Sequence, residues 1–131
     1  MILIDSSAWI EFFRDTGDPV GNRVDDLIGG DLATCHPVRM EILAGSRDER
    51  HLNDLRGLLA RATLLPTEPI DYEDAASIHR ACRRGGETVR RLIDCLIAAV
   101  AIREGVPILH ADADFEAIAR HTDLQIDKPE P

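Results

Sequence analysis

Aromatic side chains are scarce in this chain: one Trp, one Tyr and three Phe. The interior must therefore be built from Leu, Ile, Val and Ala, which suits a helix-rich α/β domain better than a β-sandwich. Lysine is scarcer still. Lys128 is the only one, and the other permanent side-chain cations are all arginine, which suits bidentate phosphate contacts. An excess of positive charge is lacking altogether. Fifteen Lys and Arg against 24 Asp and Glu leave a net charge of −9, which argues against a generic basic nucleic-acid surface. It leaves open a carboxylate cluster whose charge a bound divalent metal inverts.

Cys35, Cys82 and Cys95 are odd in number and lack a CxxC spacing. That pattern points to a reduced cytoplasmic protein rather than a disulfide framework or a zinc site. The five histidines (His36, His51, His79, His110 and His121) form no HExxH or other paired-ligand spacing. No apolar run approaches the roughly 20 residues of a membrane span. Ile2, Leu3 and Ile4 are too short for a secretory leader and are followed at once by Asp5. A cytoplasmic location without membrane association is the expectation. Neither a GxxxxGK[ST] nor a GxGxxG loop is present, so nucleoside triphosphates and dinucleotides have little support. No Ser–His–Asp or Cys–His arrangement competes for a catalytic role.

What is present is a chain of 131 residues, 44% apolar, enough for one domain over 1–131 with a real core. The apolar run before Asp5 reads as a strand buried on both faces of a parallel sheet, followed by a helix over 6–14. Turn residues 15–19 end that helix. A second helix is expected over 20–28, stopped by Gly29 and Gly30, then a short strand over 31–35 and a helix from Pro37 to Leu43. Residues 48–62 read as a surface helix with Leu52, Leu55, Leu58 and Leu59 on one face. A strand over 63–66, a helix over 71–84 and the most apolar helix, over 90–104, come next. Its stripe is Ile93, Leu96, Ile97 and Val100. A strand over 106–110, a helix over 115–121 and an edge strand over 124–126 complete the pattern, and 127–131, with two prolines, is expected to fray. Strands alternating with helices indicate a doubly wound, mostly parallel sheet.

Four stretches carry acids that this topology could gather. Asp5 ends the first strand, where ligands bind in open parallel sheets, although an N-cap role would also explain it. Asp112 and Asp114 follow the late strand, and capping accounts for only one of them. Glu41 has Val38 and Ala44 at helical spacing, an apolar strip rather than a solvated face, unless its stem lies on the core while its head reaches water. Asp94 sits near the start of the apolar helix, where the dipole favours it, yet its own side is Ala98 and Ala101. Carboxylates brought together repel and raise one another's pKa, and a divalent cation relieves this. Oxygen donors without Cys or His favour Mg²⁺, with Mn²⁺ able to substitute. The chemistry that suits such a site is phosphodiester hydrolysis by one metal or two.

In that order, four stretches resemble the four motifs of PIN domains, and are most similar to the VapC toxins of bacterial toxin–antitoxin pairs. They are Ile2 through Ser7, Met40-Glu41-Ile42-Leu43-Ala44-Gly45, Asp94 through Ala99, and Asp112 through Phe115. The resemblance implies a PIN-like (Rossmann-like) α/β fold, with a central parallel sheet of four to five strands flanked by about seven helices. It implies a metal-dependent endoribonuclease acting on tRNA, rRNA or mRNA, held inactive by a cognate VapB antitoxin. The chain would form a homodimer, and a heterotetramer or larger assembly with the antitoxin. Asp5, Glu41, Asp94 and Asp112 take the places of the catalytic acids, and Asp5, Asp94, Asp112 and Asp114 those of the metal ligands. Ser7 stands where a small hydroxyl orients a carboxylate or a metal-bound water, and Ser6 stands where the family more often has Thr.

Arg83, Arg84, Arg90 and Arg91 form the one dense basic patch, read either as a solvated helix end or as a phosphate guide. Trp9, Phe12 and Phe13 are candidates for core, antitoxin groove or dimer seam, with at least two expected in the core. A catalytically silent PIN-like binding partner and a receiver-like Mg²⁺/Asp switch are the alternatives. The second lacks the lysine it needs near the late strand.

Overall fold

The computed structural model describes residues 1–130. Its elements are β1 (Ile2–Ile4), α1 (Ser6–Arg14), α2 (Pro19–Leu27), β2 (Leu32–Cys35), α3 (His36–Ala44), α4 (Glu49–Leu59), β3 (Thr63–Leu65), α5 (Pro69–Arg84), α6 (Leu92–Glu104), β4 (Ile108–Leu109) and α7 (Ala113–His121). The strands are all parallel, in the order β3-β2-β1-β4. β1 is central, with Leu3 paired to Ala33 on one side and Ile108 on the other, and Leu3 and Ile4 are fully buried. An all-apolar strand is stable only where both faces are covered, so the most hydrophobic run takes the middle of the sheet.

The chain steps from β1 to β2 to β3 on one side and then returns to lay β4 against the other side of β1. The crevice at the carboxyl ends of β1 and β4 is therefore the topological switch point of the sheet. Asp5 and Asp112 follow those two ends. The expected edge strand over 124–126 is reduced to one bridge between Ile126 and Ile108, a single pair being too little to extend the sheet. Asp127, where fraying was expected to begin, is tied down. Its N–H donates to the Ile108 carbonyl at 2.9 Å, and its carboxylate accepts two bonds from Arg23 at 3.0 and 3.2 Å. Residue 131 lies outside the described residues.

Several boundaries differ from the expected ones, and two helix starts among them have a capping reason. α5 begins at Pro69 because Asp71, at the third helical position, accepts from the Glu68 N–H at 2.7 Å. α7 begins at Ala113 because Asp112 caps it, accepting from the Asp114 N–H at 3.0 Å. α6 begins at Leu92 rather than Arg90, which leaves Arg91 on extended backbone and Arg90 in a bend ahead of the helix. α6 is also more enclosed than an apolar stripe implies, since Cys95 and Ile97 through Ala101 are all buried. It packs along α5, and a buried ion pair staples the two. Asp71, fully buried, accepts from Arg103 at 2.8 and 3.0 Å, and the same guanidinium donates to the Pro66 carbonyl at 2.6 Å.

The aromatic residues of α1 divide by depth. Trp9 is fully buried, Phe12 is partly buried against the core, and Phe13 is 43% exposed. Gly21 lets α2 approach closely, because a Cβ there would lie 2.8 Å from the Glu11 carbonyl oxygen. The three cysteines are free and buried. Among the described residues, no helix is long and apolar enough to cross a membrane.

Candidate metal centre

Asp5 serves both readings the sequence allowed. Its Oδ2 caps α1, accepting from the Ser7 N–H at 3.0 Å and from the Ser7 hydroxyl at 2.5 Å. Its Oδ1 is buried and has no hydrogen-bond partner. Burial pushes the Asp5 carboxyl above the usual range; the Ser7 bonds work against that shift, and the nearby Glu41 charge adds to it. Ser7 does more than hold Asp5. Its oxygen also accepts from the Ala111 N–H at 2.9 Å, so one hydroxyl ties the end of β1 to the turn after β4.

Glu41 on α3 reaches the same place. Its Oε1 accepts from the Ser6 hydroxyl at 2.7 Å, and its Oε2 pairs with Arg91. The apolar strip expected beside it is partial, for Val38 and Ile42 are buried but Ala44 is exposed. Asp94, at the third position of α6, is 1% exposed, and its Oδ1 lies 3.4 Å from Arg91. Its Oδ2 is buried and unpartnered. Burial pushes the Asp94 carboxyl up to about 7, with Arg91 opposing and the charges of Asp5, Asp112 and Glu41 reinforcing.

Beyond its cap, Asp112 has its N–H bonded to His110 Nδ1 at 3.0 Å. That bond makes Nδ1 the acceptor, so the neutral ring carries its proton on Nε2 and donates to Glu116 at 3.2 Å. Oxygens from Asp94, Asp112 and Asp114 all lie within 4.8 Å of one another, close enough for one ion to bridge. Asp5 and Glu41 do not belong to that tightest group. They act on it through their charges, and with Asp112 they line a cleft of about 360 Å³.

The basic patch is divided by its partners. Arg90 pairs with Asp114 at 3.3 Å and with Asp112 at 3.6 Å, while Arg91 holds Glu41 and Asp94. The two arginines are counter-ions of the acids in this structure, and they answer part of the repulsion assigned to a metal alone. Arg83 and Arg84 lie exposed at the end of α5 without an ion pair among the described residues. The five carboxylates still outnumber the two guanidiniums, and two buried oxygens remain unsatisfied. An oxygen-only donor set with orphaned carboxylate oxygens fits a hard divalent cation.

Ser6 was missed as a site residue; its bond to Glu41 spans 35 positions, which no local pattern reveals. The counter-ion role of Arg90 and Arg91 was missed for a similar reason, since their partners Glu41, Asp112 and Asp114 lie far along the chain.

The PIN domain family profile matches residues 2–121. The chain is similar to ribonuclease VapC11 of Mycobacterium tuberculosis, at 49% identity over 129 residues covering 95% of this chain and 96% of that one. Among solved structures it is similar to FitAcB from Neisseria gonorrhoeae, with a TM-score of 0.76, 22% identity and 98% of each chain covered. VapBC2 from Rickettsia felis, bound to a DNA fragment from its promoter, gives a TM-score of 0.76 at 17% identity over 97% of this chain and 98% of that one.

Proposed function

The chain belongs to the PIN domain family, among the VapC ribonucleases, and from that membership we propose that it is a Mg²⁺-dependent endoribonuclease toxin restrained by a cognate VapB antitoxin. We read residues 1–131 as one such domain. The observation that carries the metal reading is the pair of buried, unpartnered oxygens on Asp5 and Asp94, set among three further carboxylates. Asp94, Asp112 and Asp114 would hold the ion, with Asp5 completing the set and Mn²⁺ able to replace Mg²⁺. A bound divalent ion supplies a lowered pKa for the attacking water and relief of charge on the leaving oxygen.

The chain's own residues do the rest. Ser7 locks one oxygen of Asp5 and leaves the other buried and without a partner. Ser6 and Arg91 fix Glu41 at the cleft wall, where its carboxylate can orient a water for in-line attack. Asp94, titrating near neutral pH, releases its proton as the site charges. Arg83 and Arg84 are free to meet RNA backbone, whereas Arg90 and Arg91 reach a phosphate only when the acids no longer hold them.

Partners follow the same reading. VapBC-5 from Mycobacterium tuberculosis, a member of the VapBC family of toxin–antitoxin systems, shares the fold, and that likeness supports a VapB-type antitoxin for this chain. An antitoxin segment lying over the mouth of the cleft would exclude RNA. A second copy of the chain is proposed against the α5–α6 face, where Tyr72 and Leu92 are exposed beside Ala76 and Leu96. The three buried free thiols suit a cytoplasmic protein. A receiver-like switch has no support left, and an inert binding partner does not need the intact acid set.

The test is cleavage of a structured RNA by the purified protein in Mg²⁺. Cleavage is expected to stop with EDTA and with Asp5→Asn or Asp94→Asn, the variants keeping their helical circular dichroism. Full cleavage by Asp94→Asn would overturn the assignment.

A further inference from the structure

The cleft that holds Asp5, Glu41 and Asp112 does not end at the acids. Its other wall is apolar, made by Ile10 and Phe13 of α1, Ile42 of α3 and Leu55 of α4, with Arg47 and His51 at its edge. Phosphodiester hydrolysis needs nothing greasy, so this wall is unexplained by the acid site.

Phe13 is the informative residue. Its ring stacks on Trp9 with centroids 6.0 Å apart and planes 22° from parallel, and Phe12 packs against it at 5.7 Å. Trp9 is fully buried, so one face of Phe13 rests on an immobile support while the side chain stays 43% exposed. A ring held this way loses little freedom when a flat partner lies on its open side. On the same cleft, His51 Nδ1 accepts from the Arg47 N–H at 3.0 Å. The neutral imidazole therefore carries its proton on Nε2 and offers a donor, and the Arg47 side chain is exposed beside it.

We infer that this half of the cleft seats one unpaired nucleobase of the RNA substrate, stacked on Phe13 while its neighbouring phosphate lies at the acids. This rests on the ribonuclease reading above and deepens it. Three observations favour a nucleotide over a peptide segment. The apolar wall and the carboxylates share one cavity, and once a divalent cation offsets the acids, a flat apolar group joined to a phosphate satisfies both ends. The volume, about 360 Å³, is of the size for one small ligand, not for a helix laying down a row of anchors. The donor at His51 and the cation at Arg47 suit the polar edge of a base and the backbone next to it. A splayed base held on an aromatic ring is also how proteins read single-stranded RNA, which predicts cleavage in loops and bulges and not within duplex.

The experiment uses the full chain and the shortest RNA that the wild-type protein cuts in Mg²⁺. Each nucleotide flanking the scissile bond is replaced in turn by an abasic residue, and the wild type is compared with Phe13→Leu. The leucine keeps the apolar bulk over Trp9 and removes the flat face. Expected is a KM raised about 5- to 100-fold by Phe13→Leu, the size of one base–aromatic stack, with kcat changed far less. One abasic position is expected to cost the wild type a similar factor and the variant almost nothing. His51→Ala, on a different helix, is expected to weaken discrimination among the four bases at that same position. If Phe13→Leu and the abasic change act independently, or if the variant loses kcat with KM unchanged, the subsite is refuted. If the only loss is affinity for an antitoxin peptide, the wall belongs to a protein partner and the inference falls. Failure of the wild type to cut any RNA in Mg²⁺ would instead strike the parent reading, and this one with it.

Discussion

Asp94 gives the sharpest perturbation, because the site that needs its charge also makes that charge costly to the fold. Burial raises its carboxyl from 3.8 to about 7. A raised acid binds its proton more tightly folded than unfolded. Its contribution to stability is complete below the unfolded value and is lost as pH climbs through the folded one. A shift of about three units at 1.36 kcal/mol each sets an upper bound of about 4 kcal/mol. Solvent in the neighbouring cleft and the half-exposed Arg91 screen the interaction, which brings the working figure to about 2 kcal/mol. The opposing benefit of a carboxylate in the first turn of α6 is about 0.3–1 kcal/mol, so the penalty wins. Asp94→Asn is therefore expected to be the more stable protein in EDTA, by about 2 kcal/mol above neutral pH, which for a domain of this length is about 6–10 °C in Tm. The assay is urea or thermal unfolding across the range from about pH 4 to pH 9. The gap should open as pH rises through 3.8 to about 7 and close on acidification. Adding Mg²⁺ should reverse the order, since a ligand at a hundred times its Kd stabilises by about 2.7 kcal/mol and only the wild type binds it well. A gap independent of pH, or an Asn variant less stable in EDTA at every pH, would refute the reasoning and leave Asp94 as an ordinary helix-start carboxylate.

Arg91 competes with a cation for Glu41 and Asp94, so Arg91→Met should tighten Mn²⁺ binding about 5-fold by calorimetry, the worth of a half-exposed ion pair. Weaker binding would show that the arginine helps assemble the site. Asp71→Asn breaks the staple between α5 and α6; burial raises the Asp71 carboxyl, but the Arg103 bonds outweigh this and hold it low. We expect a loss of about 3–5 kcal/mol in urea unfolding, with kcat of the folded fraction unchanged. Leu92→Glu places a charge on the exposed apolar face of α6 and should convert a dimer to a monomer in light scattering, whereas an unchanged mass would move the seam elsewhere.

The sheet and its acidic edge were legible because the cues are local. An apolar run with an acid at or just past its end marks the carboxyl end of a buried parallel strand, as Asp5 does for β1 and Asp112 for β4. The helices announced themselves by period and by their glycine or proline limits. What could not be read depends on chain ends and distant partners. Nothing in the run from Arg90 to Leu92 tells that the helix starts after the arginines, and two residues decide whether they point along the surface or back onto Asp94 and Asp112. The pairing of Ser6 with Glu41 and the closure of Ser7 onto Ala111 join positions far apart in the chain. The sequence pattern only starts a helix at Asp71, and it is the packing of α5 on α6 that makes this residue a fully buried charge. At least two of the α1 aromatics are expected in the core, yet their period could not say that Phe13 would keep one side open beside the acids.

The account rests on one cation drawing together carboxylates from the ends of β1 and β4 and the start of α6. The direct measurement is anomalous scattering from crystals soaked in Mn²⁺, recorded above the manganese edge. One peak is expected among Asp94, Asp112 and Asp114, about 2.0–2.6 Å from their oxygens, with Arg91 turned away. A Mn²⁺ peak elsewhere, or Arg91 still holding Glu41 and Asp94 at saturating metal, would contradict it.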